Sequence, residues 1–391
     1  MKNPVYITSD NIITSLGFST QENISSLQNH VIGLKPVEDL DLSPSGAILS
    51  RIDPVLLEMR FSALLDQYKK RVPATFFTRL EKMFLVSIGD VLSKTEISPS
   101  NPRTLLVVST TKGNIELLEE RHKESFDQRR VYLWELARVI GDFFNFSNRP
   151  VVISNACISG LVAILTAARF IQSGRYDHAI VAGGDVVSRF VISGFQSFQS
   201  LGPVPCKPFD LNRAGLSLGE GCGAMALTSA SSENGREPVG FAGGSITNDA
   251  NHISGPSRTG EELSLAINRA LAKASLTPDD IGYVSAHGTA TLYNDEMESK
   301  ALGLSHLSHV AVNSFKGYWG HTLGAAGMIE SIVALHSLRS GQLFQSAGFE
   351  ELGVPVPLNV LTRHETHPIH GCLKTASGFG GCNAAIVYQK L

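Results

Sequence analysis

One cysteine and two histidines stand where side chains can do chemistry. Cys157 lies in SNACISG, between an apolar strand-like run at 150–154 (PVVIS) and a helix-like run at 159–173 stopped by Gly174. A residue at a strand-to-helix turn projects from a sheet end and meets the helix N-terminus, whose unpaired N–H groups and macrodipole favour an anion. Both effects lower a thiol pKa, so Cys157 reads as a nucleophile held partly as thiolate. A buried packing thiol is the competing reading. The small neighbours Ala156, Ser159 and Gly160 leave room for a substrate. His287 follows IGYVSA and opens HGTAT, and His321 follows NSFKGYWG and opens HTLGAAG. Each marks the C-terminal end of a predicted strand, where open α/β sheets place their ligands. Either alone reads as well as a satisfied loop histidine; two at equivalent strand ends, with a cysteine at a third, point to a joint site.

Other residues fit around these three. Lys316, five positions before His321, is placed to fix loop geometry through carboxylates or carbonyls, unless it is a solvated charge. Glu330, in the following helix, is its candidate buried partner. SGFGGCN at 377–383 is a glycine turn before a final strand; such a turn can aim main-chain N–H groups at an oxyanion, or be only a tight turn. Cys206, Cys222, Cys372 and Cys382 lack the turn context of Cys157 and read as packing residues. None of the five cysteines forms a CxxC pair, which weakens metal and thioredoxin-like readings, and their odd number suits a reducing compartment.

The elements that must position these residues alternate. Strands are expected at 5–8, 104–109, 150–154, 178–184, 282–286, 310–314 and 384–389; helices at 20–27, 77–92, 114–145, 159–173, 295–302 and 328–340. Residues 34–75 read as loops and short helices. This pattern predicts an α/β fold with mostly parallel strands. The two long helices end alike, ARFIQSG at 168–174 and LHSLRSG at 335–341, a faint sign of internal duplication. A chain of 391 residues, 43% hydrophobic and 18% charged, suffices for a large core in two domains or two fused halves. A net charge of −3 gives no global field for nucleic acid. The first residues turn polar too soon for a signal peptide, and the apolar helix near 161–171 is too short to span a bilayer. A cytoplasmic protein is expected.

Together, NAC before a small-residue helix, AHGTAT, the K-x4-H of FKGYWGHTLGAAG and the terminal GFGG resemble the β-ketoacyl-acyl carrier protein synthases of the I/II type; PFDLNRAGLSLGEGCGAM at 208–225 resembles that family's central block. Order and spacing match from about residue 100 onward, and VYITSDNIITSLG resembles the family's opening strand and loop. The resemblance implies the thiolase fold, two α/β halves (1–232 and 233–391) stacked in α-β-α-β-α layers, and a dimer. It implies Cys157 as acyl acceptor, His287 and His321 as the active-site histidines, Lys316 as their supporting lysine and Glu330 as its nearby glutamate. It implies Thr289 and Thr291 as contacts of the phosphopantetheine arm. Phe379, with Gly380 beside it, matches a gate whose main-chain N–H joins that of Cys157 in an oxyanion hole. The implied reaction is decarboxylative condensation of an acyl-Cys157 thioester with malonyl-carrier protein, with no metal or organic cofactor. Acyl carrier protein is the implied partner, met by Arg213 at a matching position, with Lys82 and Arg79 as further basic candidates.

The sequence also departs from the family. Lys112 stands where an aliphatic acyl-pocket residue is usual, Asn155 for threonine, Ser377 for an aromatic, Leu292 for proline and Ala214 for an acid; the stretch 112–150 is short. A lysine in the pocket disfavours a plain saturated chain, so a specialised synthase for a polyene or polyketide is expected. Two alternatives stay open: one subunit of a heterodimeric ketosynthase and chain-length-factor pair, and a thiolase-type acyltransferase. The second needs another catalytic cysteine near the C-terminus, and Cys382 follows the glycines where the thiolase pattern has cysteine before them.

Overall fold

Buried along nearly their whole length, TLLVVS and HAIVAGGD can only be interior strands of a sheet covered on both faces. The computed structural model, which describes all residues except 1–2, 38, 40, 44–45, 120–124, 231–237 and 251–254, places them at the centre of one half of an 11-stranded sheet. The strands are β1 (Tyr6–Ile13), β2 (Thr104–Ser109), β3 (Val151–Ile153), β4 (His178–Asp185), β5 (Gly221–Thr228), β6 (Val239–Asn248), β7 (Ile281–Ser285), β8 (Ala311–Asn313), β9 (Asn359–Val360), β10 (Gly371–Gly378) and β11 (Cys382–Lys390). Their order across the sheet is β9-β8-β7-β10-β11-β6-β1-β5-β4-β2-β3.

That order contains a duplication. Outward from the middle, one half runs β1-β5-β4-β2-β3 and the other β6-β11-β10-β7-β8, with β9 added at the edge. In each half the first strand pairs antiparallel with the last, the last pairs antiparallel with the fourth, and the fourth, second and third run parallel. The halves meet at Tyr6 and Gly240. The similar endings ARFIQSG and LHSLRSG therefore mark equivalent helices, Ser159–Gln172 and Ala326–Ser340, each following the third strand of its half.

These two helices form the middle layer and touch strands of both halves. They cross closely because Gly160 has no side chain: a Cβ there would lie 2.7 Å from Met328 N and 3.0 Å from Gly324 O. Helix Arg79–Ser93 covers the first half-sheet, its start fixed by a reciprocal Thr78–Glu81 capping box. Helix Glu261–Ala274 covers the second. The result is the expected α-β-α-β-α stack, and the sulfur-bearing and imidazole-bearing turns open on the same side of it.

Three expectations need correction. The sheet is parallel only in its outer parts; from β10 through to β4 neighbours run antiparallel, because β11 follows β10 by a tight turn at 379–381 instead of a helical crossover. Among the described residues, the expected helix at 114–145 is α-helical only over Leu133–Phe144, with 3₁₀ turns at Ile115–Leu118 and Gln128–Val131. Buried Glu81 holds both ends of the non-α-helical part, accepting from Asn114 Nδ2 at 3.1 Å and Arg130 Nε at 3.0 Å. Within 34–75 lies a full helix, Pro54–Gln67, capped by the Asp53 side chain with Pro54 at its first position. The boundary expected at 232/233 lies outside the described residues. Among the described residues no helix is long and apolar enough to cross a membrane.

Candidate active site

The turn that carries Cys157 is strained in a specific way. After β3 the chain passes through Ala156 at φ 44°, a left-handed conformation costly for any residue with a Cβ. Ser159 holds it: its hydroxyl accepts from Asn155 N at 2.8 Å and donates to Ala156 O at 2.6 Å. Cys157 is thereby set just before the helix, 7% exposed.

Burial overturns the expected thiol acidity. Cys157 is pushed up to about 12: desolvation of the thiolate dominates and neighbouring Cys382 adds to it, while Lys316 and Lys112 pull the other way without prevailing. Cys157 is thus held as a thiol near pH 7. Iodoacetamide should alkylate Cys157 slowly at pH 7, with a rate that still climbs beyond pH 9 as the thiolate fraction grows. A rate that levels off near pH 7, followed by peptide mass mapping, would contradict this. Cys382 is also raised, to about 11, by burial.

His287 sits just past β7, 2% exposed. Glu298 accepts from His287 N at 2.8 Å and Gly288 N at 2.7 Å. Lys316 Nζ donates to the His287 carbonyl and lies 3.3 Å from His287 Nδ1. An ammonium can only donate, so Nδ1 accepts and the ring proton sits on Nε2. His321, 1% exposed, is fixed through its main chain, N to Ser217 O at 2.7 Å and O from Gly219 N at 3.0 Å. The preceding Gly320, at φ 71°, permits this approach: a Cβ there would lie 2.7 Å from Leu218 C and O. The two rings meet edge to face with centroids 5.2 Å apart. Burial first, then the Lys316 charge, holds both imidazoles well below the ordinary histidine range, so they are neutral N–H donors near pH 7.

Lys316 and Glu330 pair as the sequence suggests, Nζ to Oε1 at 2.8 Å, fully buried. A second buried lysine, Lys374, meets the other carboxylate oxygen at 2.6 Å. Sequence reading missed Lys374, although a lone charge within the buried strand GCLKTASG is a visible signal. It also missed Glu298 and Asp295. These stand three apart on helix Leu292–Leu304 and so share a face. Asp295 accepts from Thr289 N at 2.8 Å and Ala290 N at 3.1 Å; burial raises it to about 6. Glu330→Ala leaves two buried ammoniums without their shared carboxylate and should destabilise the fold by about 3–5 kcal/mol in denaturant unfolding.

An open cavity of about 1280 Å³ reaches Cys157, His287 and His321 together. Thr289 and Thr291 line it, with hydroxyls 2.9 Å apart. Phe379 also lines it, packed against Phe195 and Phe198 at 5.4 and 5.1 Å between centroids. Gly380, exposed and at φ 85°, stands at the tip of this turn and off the cavity wall. Ser377, on the wall, bonds Asn383 Oδ1 at 2.7 Å.

Four expected contacts are corrected. Lys112 is exposed and does not line the cavity, although its charge still reaches Cys157. Arg213 lines the wall, but its side chain is only 2% exposed and donates to Asp210 O at 2.9 Å and Gly353 O at 2.6 Å, so it ties loops together. Lys82 is buried against Glu58 and Phe61, away from the mouth. Arg79, likewise, is engaged by buried Glu220.

A cysteine at a strand end sharing one cavity with two neutral imidazoles defines a site equipped for cysteine-based acyl transfer. The sequence matches the Beta-ketoacyl synthase N-terminal domain over residues 2–233 and the C-terminal domain over residues 240–350, and the chain belongs to this family of condensing enzymes. It is 33% identical over 328 residues to 3-oxoacyl-[acyl-carrier-protein] synthase 2 of Vibrio cholerae, covering 76% of this chain and 78% of that one. Nodulation protein E of Rhizobium leguminosarum bv. trifolii is 32% identical over 246 residues, 61% of each chain. With the chloroplastic 3-oxoacyl-[acyl-carrier-protein] synthase II of Arabidopsis thaliana the match covers 60% of this chain and 46% of that one, at 33% identity. The match thus spans less than two-thirds of the length of these last two relatives. Among solved structures, the ketosynthase ApeO in complex with its chain length factor ApeC, from Xenorhabdus doucetiae, superposes with a TM-score of 0.88 at 24% identity, covering 100% of this chain and 98% of that one. The ishigamide ketosynthase/chain length factor gives 0.88 at 23%, covering 100% of both. The fold is thiolase-like.

Proposed function

We propose that the chain is a 3-oxoacyl-acyl carrier protein synthase, using Cys157 as nucleophile and His287 and His321 as oxyanion donors. The observation that carries this reading is the single cavity on which the three side chains converge. An acyl group passes from carrier-protein thioester to Cys157 sulfur, and the thiol proton leaves with the pantetheine sulfur. Malonyl-carrier protein then enters past Thr289 and Thr291. Loss of carbon dioxide leaves an enolate, whose oxygen accepts from His287 Nε2–H and from the His321 ring. Its carbon attacks the acyl-Cys157 carbonyl, whose oxyanion rests on the N–H groups of Cys157 and Phe379. Collapse expels the Cys157 thiolate, which takes up a proton readily because burial raises its pKa. Lys316, held by Glu330, keeps the proton on the cavity side of His287. No metal or organic cofactor enters this scheme.

The partner is acyl carrier protein, an acidic molecule. With Arg213 and Lys82 engaged inside the fold, Arg258 is, among the described residues, the fully exposed cation on the cavity wall, beside half-exposed Lys300, whose Nζ donates to the Arg258 carbonyl at 2.8 Å. Arg258→Glu should raise KM for carrier-bound substrates about tenfold while sparing acylation by a small thioester; a mutant charge at the rim acts on encounter. Equal loss with both donors would refute that contact. The five cysteines, all free, suit a reducing cytoplasm. The active unit is read as a dimer, of identical subunits or with a ketosynthase-like partner, as in the ApeO complex. The polar pair Ser377–Asn383 on the wall favours an unsaturated or oxygenated polyene- or polyketide-type chain.

The test is a reaction of purified chain with a panel of acyl-carrier proteins and malonyl-carrier protein, with 3-oxoacyl product read by mass spectrometry. Product from the chain alone supports the homodimer; product only with an added partner supports the pair. Absence of product under both conditions, across saturated and unsaturated chains, would refute the reading.

A further inference from the structure

We propose that Lys374 is a second positioning lysine of this site, clamping the turn that carries His287 from the sheet side while Lys316 clamps it from the loop side. Lys374 lies on β10, next to β7 in the sheet, and its side chain is fully buried. Its Nζ donates to Ser285 O at 3.1 Å and Ala286 O at 3.0 Å; Lys316 takes the next carbonyl, that of His287. Three consecutive carbonyls thus point at two ammoniums, and Glu330 bridges the pair. On the donor side, Ala286 N meets Asn313 O at 2.9 Å while His287 N and Gly288 N meet Glu298. Thr375, next to Lys374 on β10, donates to the same Glu298 at 2.7 Å. The strand therefore grips the histidine turn twice, once by a cation and once through a carboxylate.

A structural anchor would need only the hydrogen bonds, and a neutral donor would serve. A buried ammonium carries a desolvation cost that shows in Lys374 itself, held below the ordinary lysine range by burial first. The charge has a consequence inside the site. The groups facing Lys374 are Glu330 from the central helix, Lys316, Glu298 from helix Leu292–Leu304, and, beyond them, the two imidazoles. Both imidazoles feel Lys374 as well as Lys316, and each cation opposes ring protonation. With Lys374 present, the rings stay N–H donors at lower pH than Lys316 alone would allow.

The proposal rests on the condensing activity proposed above, and one experiment separates the two. Acylation of Cys157 and condensation with malonyl-carrier protein are measured against pH for the wild type, Lys374→Met, Lys374→Gln and Lys374→Met/Glu330→Gln. Glutamine can donate to the two carbonyls without charge. The double variant keeps the net charge of Lys316, Lys374 and Glu330 at one excess cation. We expect Met and Gln variants to acylate within about threefold of wild type, and to lose about tenfold or more in condensation. The acid limb of their condensation profile should move up by roughly one pH unit, since losing a nearby cation lets the imidazoles protonate earlier. The double variant should return that limb toward the wild-type position. A Gln variant with wild-type rate and limb, parallel loss of acylation and condensation, or failure of all three variants to fold would overturn the role of Lys374. A wild-type chain that never condenses sinks the underlying reading instead.

Discussion

Cys157→Ala should abolish the covalent acyl adduct that intact mass shows on the wild-type chain after exposure to an accepted acyl-carrier protein. Condensation should fall by at least about 10³-fold, the scale on which removing an enzymatic nucleophile acts. The substitution removes one sulfur from the wall of an open cavity and leaves the Ser159 bonds that hold the turn, so the fold should be retained. The four other thiols remain in the variant, and all are buried. Cys382 is the one that matters as a control: a Cβ placed on Gly378 would lie 3.0 Å from Cys157 N and 3.1 Å from Cys382 Sγ, so this sulfur is close to the reacting centre. If the adduct persisted in Cys157→Ala, Cys382 would be the acyl acceptor and the thiolase-type alternative would regain its footing.

The histidine variants should separate the two half-reactions. Removing one preorganised donor from an oxyanion typically costs about 10²–10³ in rate. His287→Ala and His321→Ala should therefore each lower malonyl decarboxylation and condensation by that factor, while an acyl adduct on Cys157 still forms. The reason lies in protonation state. Both rings are buried beside Lys316, so neither is a cation that activates the thiol by charge; they act as neutral donors once an enolate appears. A histidine variant that lost acylation as steeply as decarboxylation would show that the rings serve chiefly to deprotonate Cys157.

The site was more legible in the sequence than the sheet around it. Cys157, His287 and His321 each lie in the turn that follows a short apolar strand, and that recurrence points to a joint site; that they share one cavity is what the structure adds, because neighbouring strands between β10 and β4 run antiparallel. The Lys316–Glu330 pair was also readable, because residues 14 apart flank a strand-end loop and a helix start. The direction of β5 and β11 was not: whether a strand returns parallel or antiparallel depends on the path of its connection, and residues 186–220 carry no regular signal of a reversal. Thiol acidity was misjudged for a related reason. Sequence position reveals the helix N-terminus beside Cys157 but not how much water reaches the sulfur, and burial decides the balance. Neither a matching family position for Arg213 nor the helix position of Lys82 reveals that Gly353 O and Glu58 engage them. Lys374, Glu298 and Asp295 were overlooked because they bind main chain and not substrate; each stands out only once the turn it holds is visible.

The most direct measurement is tandem mass spectrometry of peptides from wild-type chain trapped after exposure to an acyl-carrier protein, before and after a chase with malonyl-carrier protein. The acyl group should appear on the peptide containing Cys157, disappear during the chase, and return as a 3-oxoacyl chain on the carrier. An acyl group found on Cys382, or one on Cys157 that the chase leaves in place, would contradict this.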